Sequence, residues 1–137
     1  MPRIRIDEAG ELTVADIIHA KFSALPATAT IGEVRDWFAA STSRRQAFVA
    51  DDGRYVGSLT PQDLEGADDP ARPAVEVAQG GPTVSPGAPA TEGRDLALLT
   101  DSRRVPVVDA EGILLGVVAV TDDMQSFCGT SSNAARR

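Results

Sequence analysis

The chain has 137 residues, enough for one domain or for two small ones that share a core. Thirteen Lys and Arg against twenty Asp and Glu give a formal net charge of −7, which argues against a nucleic-acid partner because an acidic surface repels the phosphate backbone. The single cysteine, Cys128, excludes an intrachain disulfide, and no signal peptide or bilayer-spanning run is evident, so we expect a cytoplasmic protein with no membrane partner.

The first predicted elements are helical. A short amphipathic piece, TVADII, precedes an extended stretch rich in Pro, Ala and Thr. Thr30 and Glu33 then have the S/T-x-x-E spacing of a capping box, in which each side chain satisfies a free backbone N–H of the other residue. This spacing predicts a helix that runs from Thr30 to about Ser41.

A hairpin is predicted next. Two runs rich in β-branched and aromatic residues, Gln46 to Ala50 and Tyr55 to Thr60, are joined by the turn-forming ADDG. The apolar runs are nearly continuous, which is typical of strands covered on both faces.

The hairpin leads into GSLTPQDL, residues 57–64, which is typical of a buried strand that enters a helix. Thr60 and Asp63 sit three residues apart at this junction. One interpretation is a helix cap, since Thr caps helices, Pro61 suits the first helical position and an acid suits the first turn. The other interpretation is a binding site for a sugar and a phosphate.

The same pattern recurs 59 residues later. SRRQAFVADDGRYVG, which begins at Ser43, aligns without a gap with SRRVPVVDAEGILLG, which begins at Ser102. At this offset Arg35 falls on Arg94 and Asp63 falls on Asp122. The sequence therefore predicts a duplicated unit of roughly sixty residues.

The second copy is predicted to have the same elements as the first. PAVEVA corresponds to TVADII, and the next helix starts less cleanly, with Thr91 and Glu92 in the cap region. Strands are predicted at Val105 to Val108 and Ile113 to Ala119, joined by DAEG. The predicted repeats are residues 12–66 and 73–128. A polar, Pro-rich linker joins them, and residues 129–137 are predicted to be a disordered tail.

With these elements in order, the chain resembles a tandem pair of CBS (cystathionine-β-synthase) domains, also called a Bateman module. The residues that carry the resemblance are V14-A-D-I-I, V105-P-V-V-D with G112-I-L-L-G, and above all G57-S-L-T-P-Q-D. The resemblance covers about residues 12–128. It implies an α/β (α+β) fold of two pseudo-symmetric repeats, each a small mixed sheet or hairpin flanked by helices, with clefts between the repeats.

In that family the clefts hold adenine-containing ligands, so the resemblance implies AMP, ADP, ATP or S-adenosylmethionine as a possible ligand and no obligatory cofactor. Thr60 would contact phosphate and Asp63 the ribose. In the second copy Asp122 keeps the ribose position, but Ala119 replaces the hydroxyl, with Thr121 as a neighbouring substitute. The remaining candidates are Arg45 and Arg104, which would neutralise phosphate or else be solvated strand entries, and Ala47 and Pro106, whose backbone would meet the base edge.

The function implied is a non-catalytic regulatory module for energy sensing, a homodimer that signals nucleotide occupancy to a regulated protein. The alternative is a ligand-free CBS dimer that acts as an interaction scaffold. An enzyme is not expected, because one His, one Cys and no P-loop or G-x-S-x-G motif leave no catalytic constellation. No metal ligands are expected either: His19 has no ligand pattern around it.

Overall fold

The fold is known from a computed structural model that describes residues 4–19, 24–41, 44, 46–100, 102–121 and 123–127. The α-helices are α1 (Val14–Ile17), α2 (Ile31–Ala39) and α3 (Ala90–Leu98). The strands are β1 (Ala24–Pro26), β2 (Ala47–Asp51), β3 (Arg54–Leu59), β4 (Arg104–Val108) and β5 (Leu114–Ala119). Short 3₁₀ helices cover Ile6–Glu11, Pro61–Leu64 and Ala74–Glu76. Helices and small sheets are mixed along the chain, which confirms the α+β fold class.

The chain divides into two compact units whose boundaries differ from those of the sequence repeats. Unit 1 comprises Met1–Phe22 together with Pro82–Arg137, and unit 2 comprises Ser23–Gly81. The first residues of each sequence repeat therefore belong to the unit that contains the hairpin of the other repeat. The repeat boundaries of 12–66 and 73–128 stay a prediction about the duplicated sequence.

Unit 2 is built on a mixed sheet in the order β1, β2, β3. β1 runs parallel to β2, and β2 runs antiparallel to β3. Gln79 extends the sheet beyond β3, because Ser58 N–H donates to Gln79 O at 2.9 Å and Gln79 N–H donates to Ser58 O at 2.8 Å. The leading segment of the second repeat thus forms the outer edge of this sheet.

Unit 1 repeats this arrangement with β4 and β5 as its antiparallel hairpin. Val84 lies parallel beside Val107 on one side. His19 lies antiparallel beside Val117 on the other, with N–H to O distances of 2.8 and 3.2 Å. Among the described residues, the sheet of each unit therefore has four strand positions, two supplied by a hairpin and two by short flanking segments.

The helix starts follow the sequence signals. Glu33 N–H donates to Thr30 Oγ1 at 3.2 Å, and Thr30 N–H donates to Glu33 Oε1 at 3.0 Å, which confirms the predicted capping box. α2 ends at Ala39, two residues before the predicted Ser41. α3 begins after Pro89, whose side chain makes no capping bond, so the less clean start of the second helix is also confirmed.

Both hairpins form close to where they were predicted. In the first, Asp52 and Gly53 both have positive φ, 52° and 84°, as a tight two-residue hairpin turn requires. The strands have buried runs on consecutive residues, such as Ala47 to Val49 and Gly57 to Leu59, so both sheet faces are covered there as predicted.

Each unit has its own core. In unit 1 the largest fully buried side chains include Phe127, Ile17 and Val118, and in unit 2 they include Ile31, Leu59 and Val49. The linker residues 68–73 are all exposed, as their polar and Pro-rich composition predicted.

The elements that follow the hairpins differ from the prediction. The helix expected after β3 is one 3₁₀ turn, Pro61–Leu64, which gives way to Gly66 at a φ of 82°. After β5 the described residues 120, 121 and 123–127 form turns and isolated bridges instead of a helix. Met124 there has a φ of 58°, a conformation that no α-helix contains. The tail at residues 129–137 lies outside the described residues.

Candidate functional site

Thr60 and Asp63 meet at the end of β3, as their spacing predicted. Thr60 N–H donates to Asp63 Oδ2 at 2.8 Å, and the Thr60 hydroxyl donates to the same oxygen at 3.2 Å. Both residues are half-buried. The carboxylate of Asp63 therefore caps the Pro61–Leu64 turn, and the Thr60 hydroxyl is oriented toward that carboxylate.

Asp63 keeps hydrogen-bonding capacity in this arrangement. Both of its side-chain bonds use Oδ2, and Oδ1 accepts no hydrogen bond from any residue in the described ranges. An ionised carboxylate has about four acceptor positions. Asp63 can therefore cap the turn and accept hydrogen bonds from ligand hydroxyls at the same time, so the two interpretations of GSLTPQDL are compatible.

The far end of the turn is held by Arg35 of α2. Its Nη2 donates to Leu64 O at 2.9 Å and to Ala67 O at 2.6 Å. Sequence reasoning assigned no role to this residue, although its recurrence as Arg94 was a signal that the position is special. The turn is thus fixed at its start by Asp63 and at its end by Arg35.

A groove of about 390 Å³ lies beside the turn. Its lining residues are Arg35, Phe38, Pro61, Leu64, Glu65 and Gly66. Neither Thr60 nor Asp63 lines it, so the groove and the candidate nucleotide contacts are different places on the same turn.

The two candidates for the base edge, Ala47 and Pro106, lie in β2 and β4, which pair with β3 and β5. Both side chains are buried. Ala47 pairs with Leu59, and Pro106 pairs with Val117. The carbonyl of Pro106 already accepts a hydrogen bond from Val84 N–H at 3.0 Å. Only backbone atoms remain for a ligand at these positions.

The second junction offers fewer polar groups than the first. Ala119, in place of the hydroxyl, is 2% exposed. Thr121, the proposed substitute, donates to Asp123 Oδ1 at 2.5 Å and accepts from Ser126 N–H at 3.2 Å, so its hydroxyl holds a local turn. Asp122 lies outside the described residues.

Of the two candidate arginines, Arg104 is described and Arg45 lies outside the described residues. Arg104 Nη1 donates to Ser102 O at 2.8 Å, and its backbone N–H donates to Thr100 Oγ1 at 3.0 Å. Its guanidinium therefore helps to fix the backbone just before β4.

A polar cluster beside the first junction was not anticipated from the sequence. Gln46 Nε2 donates to the hydroxyl of Ser58, a buried residue, at 2.7 Å. Nearby, Tyr55 OH donates to Gly80 O at 3.3 Å. Burial raises the pKa of Tyr55 above its ordinary value of 10.0, against a smaller opposing effect of a hydrogen bond with Ser58.

Two further properties bear on function. Among the described residues no group of three or more His, Cys, Asp and Glu is arranged to hold a metal ion. In the same part of the chain, every helix is too short or too polar to cross a bilayer.

Comparisons with known proteins agree on one fold. A family model described as the CBS domain matches residues 74–122. No curated protein matches the sequence significantly. Among solved structures, the chain is similar to the cystathionine β-synthase pair domain of a Shewanella oneidensis MR-1 protein, with a TM-score of 0.71 and 17% identity over 82% of this chain and 68% of that one.

Three other similar structures, of two proteins, have names that mention CBS proteins or nucleotides. The CBS-pair protein CBSX2 from Arabidopsis thaliana has a TM-score of 0.69 and 19% identity, over 79% of this chain and 88% of that one. CBSX2 was also solved in complex with AMP, and that structure has a TM-score of 0.68 and 20% identity, over 79% and 90%. The cytosolic domain of the Mg²⁺ channel MgtE, in complex with ATP, has a TM-score of 0.66 and 25% identity, over 80% of this chain and 46% of that one.

Proposed function

We propose that the chain, which has the fold of a CBS-domain pair, is a regulatory module that binds one adenine nucleotide at the Thr60 and Asp63 junction. Occupancy of this site is signalled to a regulated protein. The observation that carries the proposal is the geometry of Asp63, whose Oδ2 caps the turn while Oδ1 is available to a ligand. The AMP complex of CBSX2 and the ATP complex of MgtE support the class of ligand.

The two side chains have separate roles in this proposal. Asp63 accepts hydrogen bonds from the ribose diol, and bonds of this kind to a charged acceptor are among the stronger ones in proteins. The Thr60 hydroxyl turns away from Asp63 and donates to a phosphate oxygen, since a hydroxyl hydrogen rotates freely to suit its acceptor. Thr60 N–H stays bonded to Asp63 and keeps the carboxylate in place.

The proposed stoichiometry is one nucleotide per chain. The second junction has Ala119 in place of a hydroxyl, and Thr121 is already bonded to Asp123 and Ser126. Neither position then offers a free hydroxyl to a phosphate, so we expect this junction to stay empty at moderate nucleotide concentrations.

Isothermal titration of the nucleotide-stripped protein with AMP, ADP, ATP and S-adenosylmethionine, each with and without Mg²⁺, tests the proposal. We expect saturable binding of one ligand per chain. Asp63→Asn weakens that binding by about tenfold or more, because the charged acceptor is lost. Asp52→Asn is the matched control: it makes the same change on an exposed turn of unit 2, at a positive φ that Asn tolerates.

Two results would contradict the proposal: no heat with any of the four ligands, or an Asp63→Asn variant that binds as tightly as the parent. The second candidate function, a ligand-free dimer that scaffolds a partner, is favoured by Ala119 and by a cap at Thr60 that is complete without ligand. A homodimer measured by light scattering, together with silent titrations, would support the scaffold over the sensor.

A further inference from the structure

Arg35 makes an unusual connection between α2 and the candidate nucleotide site. One nitrogen of its guanidinium, Nη2, donates both to Leu64 O at 2.9 Å and to Ala67 O at 2.6 Å. The side chain is half-buried, so these charge-assisted bonds are partly shielded from water. Leu64 directly follows Asp63 in the chain, and Ala67 lies three residues after Leu64.

The turn that carries Asp63 needs such support. It is a single 3₁₀ turn of four residues, Pro61–Leu64, and a lone turn has little stability of its own. Its start is fixed by β3 and by the bond from Thr60 N–H to Asp63. Its end is followed by Gly66 at a φ of 82°, where glycine is flexible. Arg35 spans this weak end and ties it to a regular helix.

The residue that aligns with Arg35 in the second repeat makes different contacts. Arg94, on α3 of unit 1, donates from Nη1 to Ile6 O at 3.3 Å and from Nε to Asp95 at 2.9 Å. Its backbone partner belongs to the N-terminal segment and not to the residues that follow β5. Within the described residues, the arginine therefore holds the post-hairpin turn only in the copy where Thr60 supplies a hydroxyl.

We propose that Arg35 is a positioning residue of the nucleotide site. It holds the end of the Pro61–Leu64 turn through Leu64 O and the residues after it through Ala67 O, so that Asp63 meets the ribose in the required geometry, and it does not itself touch the ligand. Binding groups must be held within about 0.5 Å of their productive positions, which a turn free at one end does not achieve. This inference rests on the proposed function.

The test compares Arg35→Met with the matched control Arg94→Met, by titration with AMP and 2′-deoxy-AMP and with ATP and 2′-deoxy-ATP. Arg35→Met is expected to weaken binding of the ribonucleotide by about tenfold. The affinity for the 2′-deoxy nucleotide, which lacks one of the hydroxyls that Asp63 binds, is expected to fall less. The preference for ribo over deoxy therefore falls, whereas a merely destabilised protein would lose affinity for both equally. Arg94→Met leaves all affinities within about twofold.

Two further variants sharpen the result. Arg35→Lys is expected to restore much of the affinity, because one nitrogen makes both bonds and the Lys ammonium has three donors. In the double variant of Arg35→Met with Asp63→Asn, binding is expected to be no weaker than with Asp63→Asn alone, because Arg35 acts through Asp63. If Arg35→Met does not fold, as judged by circular dichroism, Arg35→Lys and Arg35→Gln carry the comparison.

The outcomes separate the two proposals. If Asp63→Asn weakens binding but Arg35→Met and Arg35→Gln stay within about twofold of the parent, with an unchanged ribo-to-deoxy preference, the inference is wrong and the proposed function stands. If Asp63→Asn leaves binding unchanged, or no nucleotide binds, the proposed function fails and the inference fails with it.

Discussion

Substitution of Gly116 by Ala is expected to be among the most damaging single-methyl changes in unit 1. A Cβ built on Gly116 would lie 2.7 Å from Ile18 Cγ1 and 2.8 Å from His19 O, well inside the 3.4 Å at which ordinary contact begins. The His19 carbonyl cannot retreat easily, because it accepts a hydrogen bond from Val117 N–H at 3.2 Å. The close approach of the His19 segment to β5 thus requires a residue without a side chain.

The expected cost follows from these contacts. Overpacking a core site costs about 1–3 kcal/mol, and weakening one backbone hydrogen bond adds about 0.5–1.5 kcal/mol. The free energy of unfolding should therefore fall by about 2–4 kcal/mol, and for a chain of this size that lowers Tm by about 6–15 °C. The equivalent Gly57 has looser contacts, 3.1 Å to Gln79 O and 3.2 Å to Ala78 Cβ, so Gly57→Ala should cost less.

Thermal unfolding followed by circular dichroism measures the effect. The matched control is Gly10→Ala, which adds the same methyl group to unit 1 where nothing lies within 4 Å. This control should change the free energy of unfolding by less than about 1 kcal/mol. If Gly116→Ala unfolds within about 2 °C of Gly10→Ala, or if Gly57→Ala is the more damaging change, the close packing of His19 on β5 does not set the stability.

Two other predictions concern single side chains in unit 2. Thr30→Ala removes the capping box of α2 and should lower the free energy of unfolding by about 1 kcal/mol, measured by urea unfolding; an unchanged midpoint would mean that packing alone fixes the start of the helix. Tyr55 is the one tyrosine in the chain, so its absorbance near 295 nm reports its ionisation directly. Because burial raises its pKa above 10.0 in the folded state, the folded protein should titrate above that value. Its stability should then fall as pH rises from about 10 through the raised pKa, whereas a midpoint at or below 10 would contradict the burial of the phenol.

The sequence predicted the local elements well because their signals are local. The capping box at Thr30 and the hairpin turn at Asp52 and Gly53 depend on residues that are neighbours in the chain. The internal repeat then extended these signals to the second copy. The meeting of Thr60 and Asp63 was predictable for the same reason, since only three residues separate them.

Features that depend on distant residues were missed. The contact of Arg35 with Ala67 spans 32 positions, and no short-range pattern indicates it. Gly57 and Gly116 read as parts of a binding motif, yet the structure gives each a packing role against Gln79 or His19. The helix predicted after β3 is one turn because Gly66 and the Pro-rich linker follow it closely, and sequence periodicity over four residues cannot separate a turn from a helix.

The division of the chain has a consequence for how the protein is made. Unit 2 is one continuous stretch, Ser23–Gly81, set inside a unit 1 that needs both the residues before it and those after it. On the ribosome, unit 2 is complete while His19 still waits for its partner Val117, almost a hundred residues further along. Val117 is synthesised 36 residues after Gly81, which at about 5–20 residues per second takes about 2–7 s. During that time the N-terminal segment is exposed and unpaired beside a finished domain, so we expect synthesis to pass through an intermediate in which only the inner unit is folded.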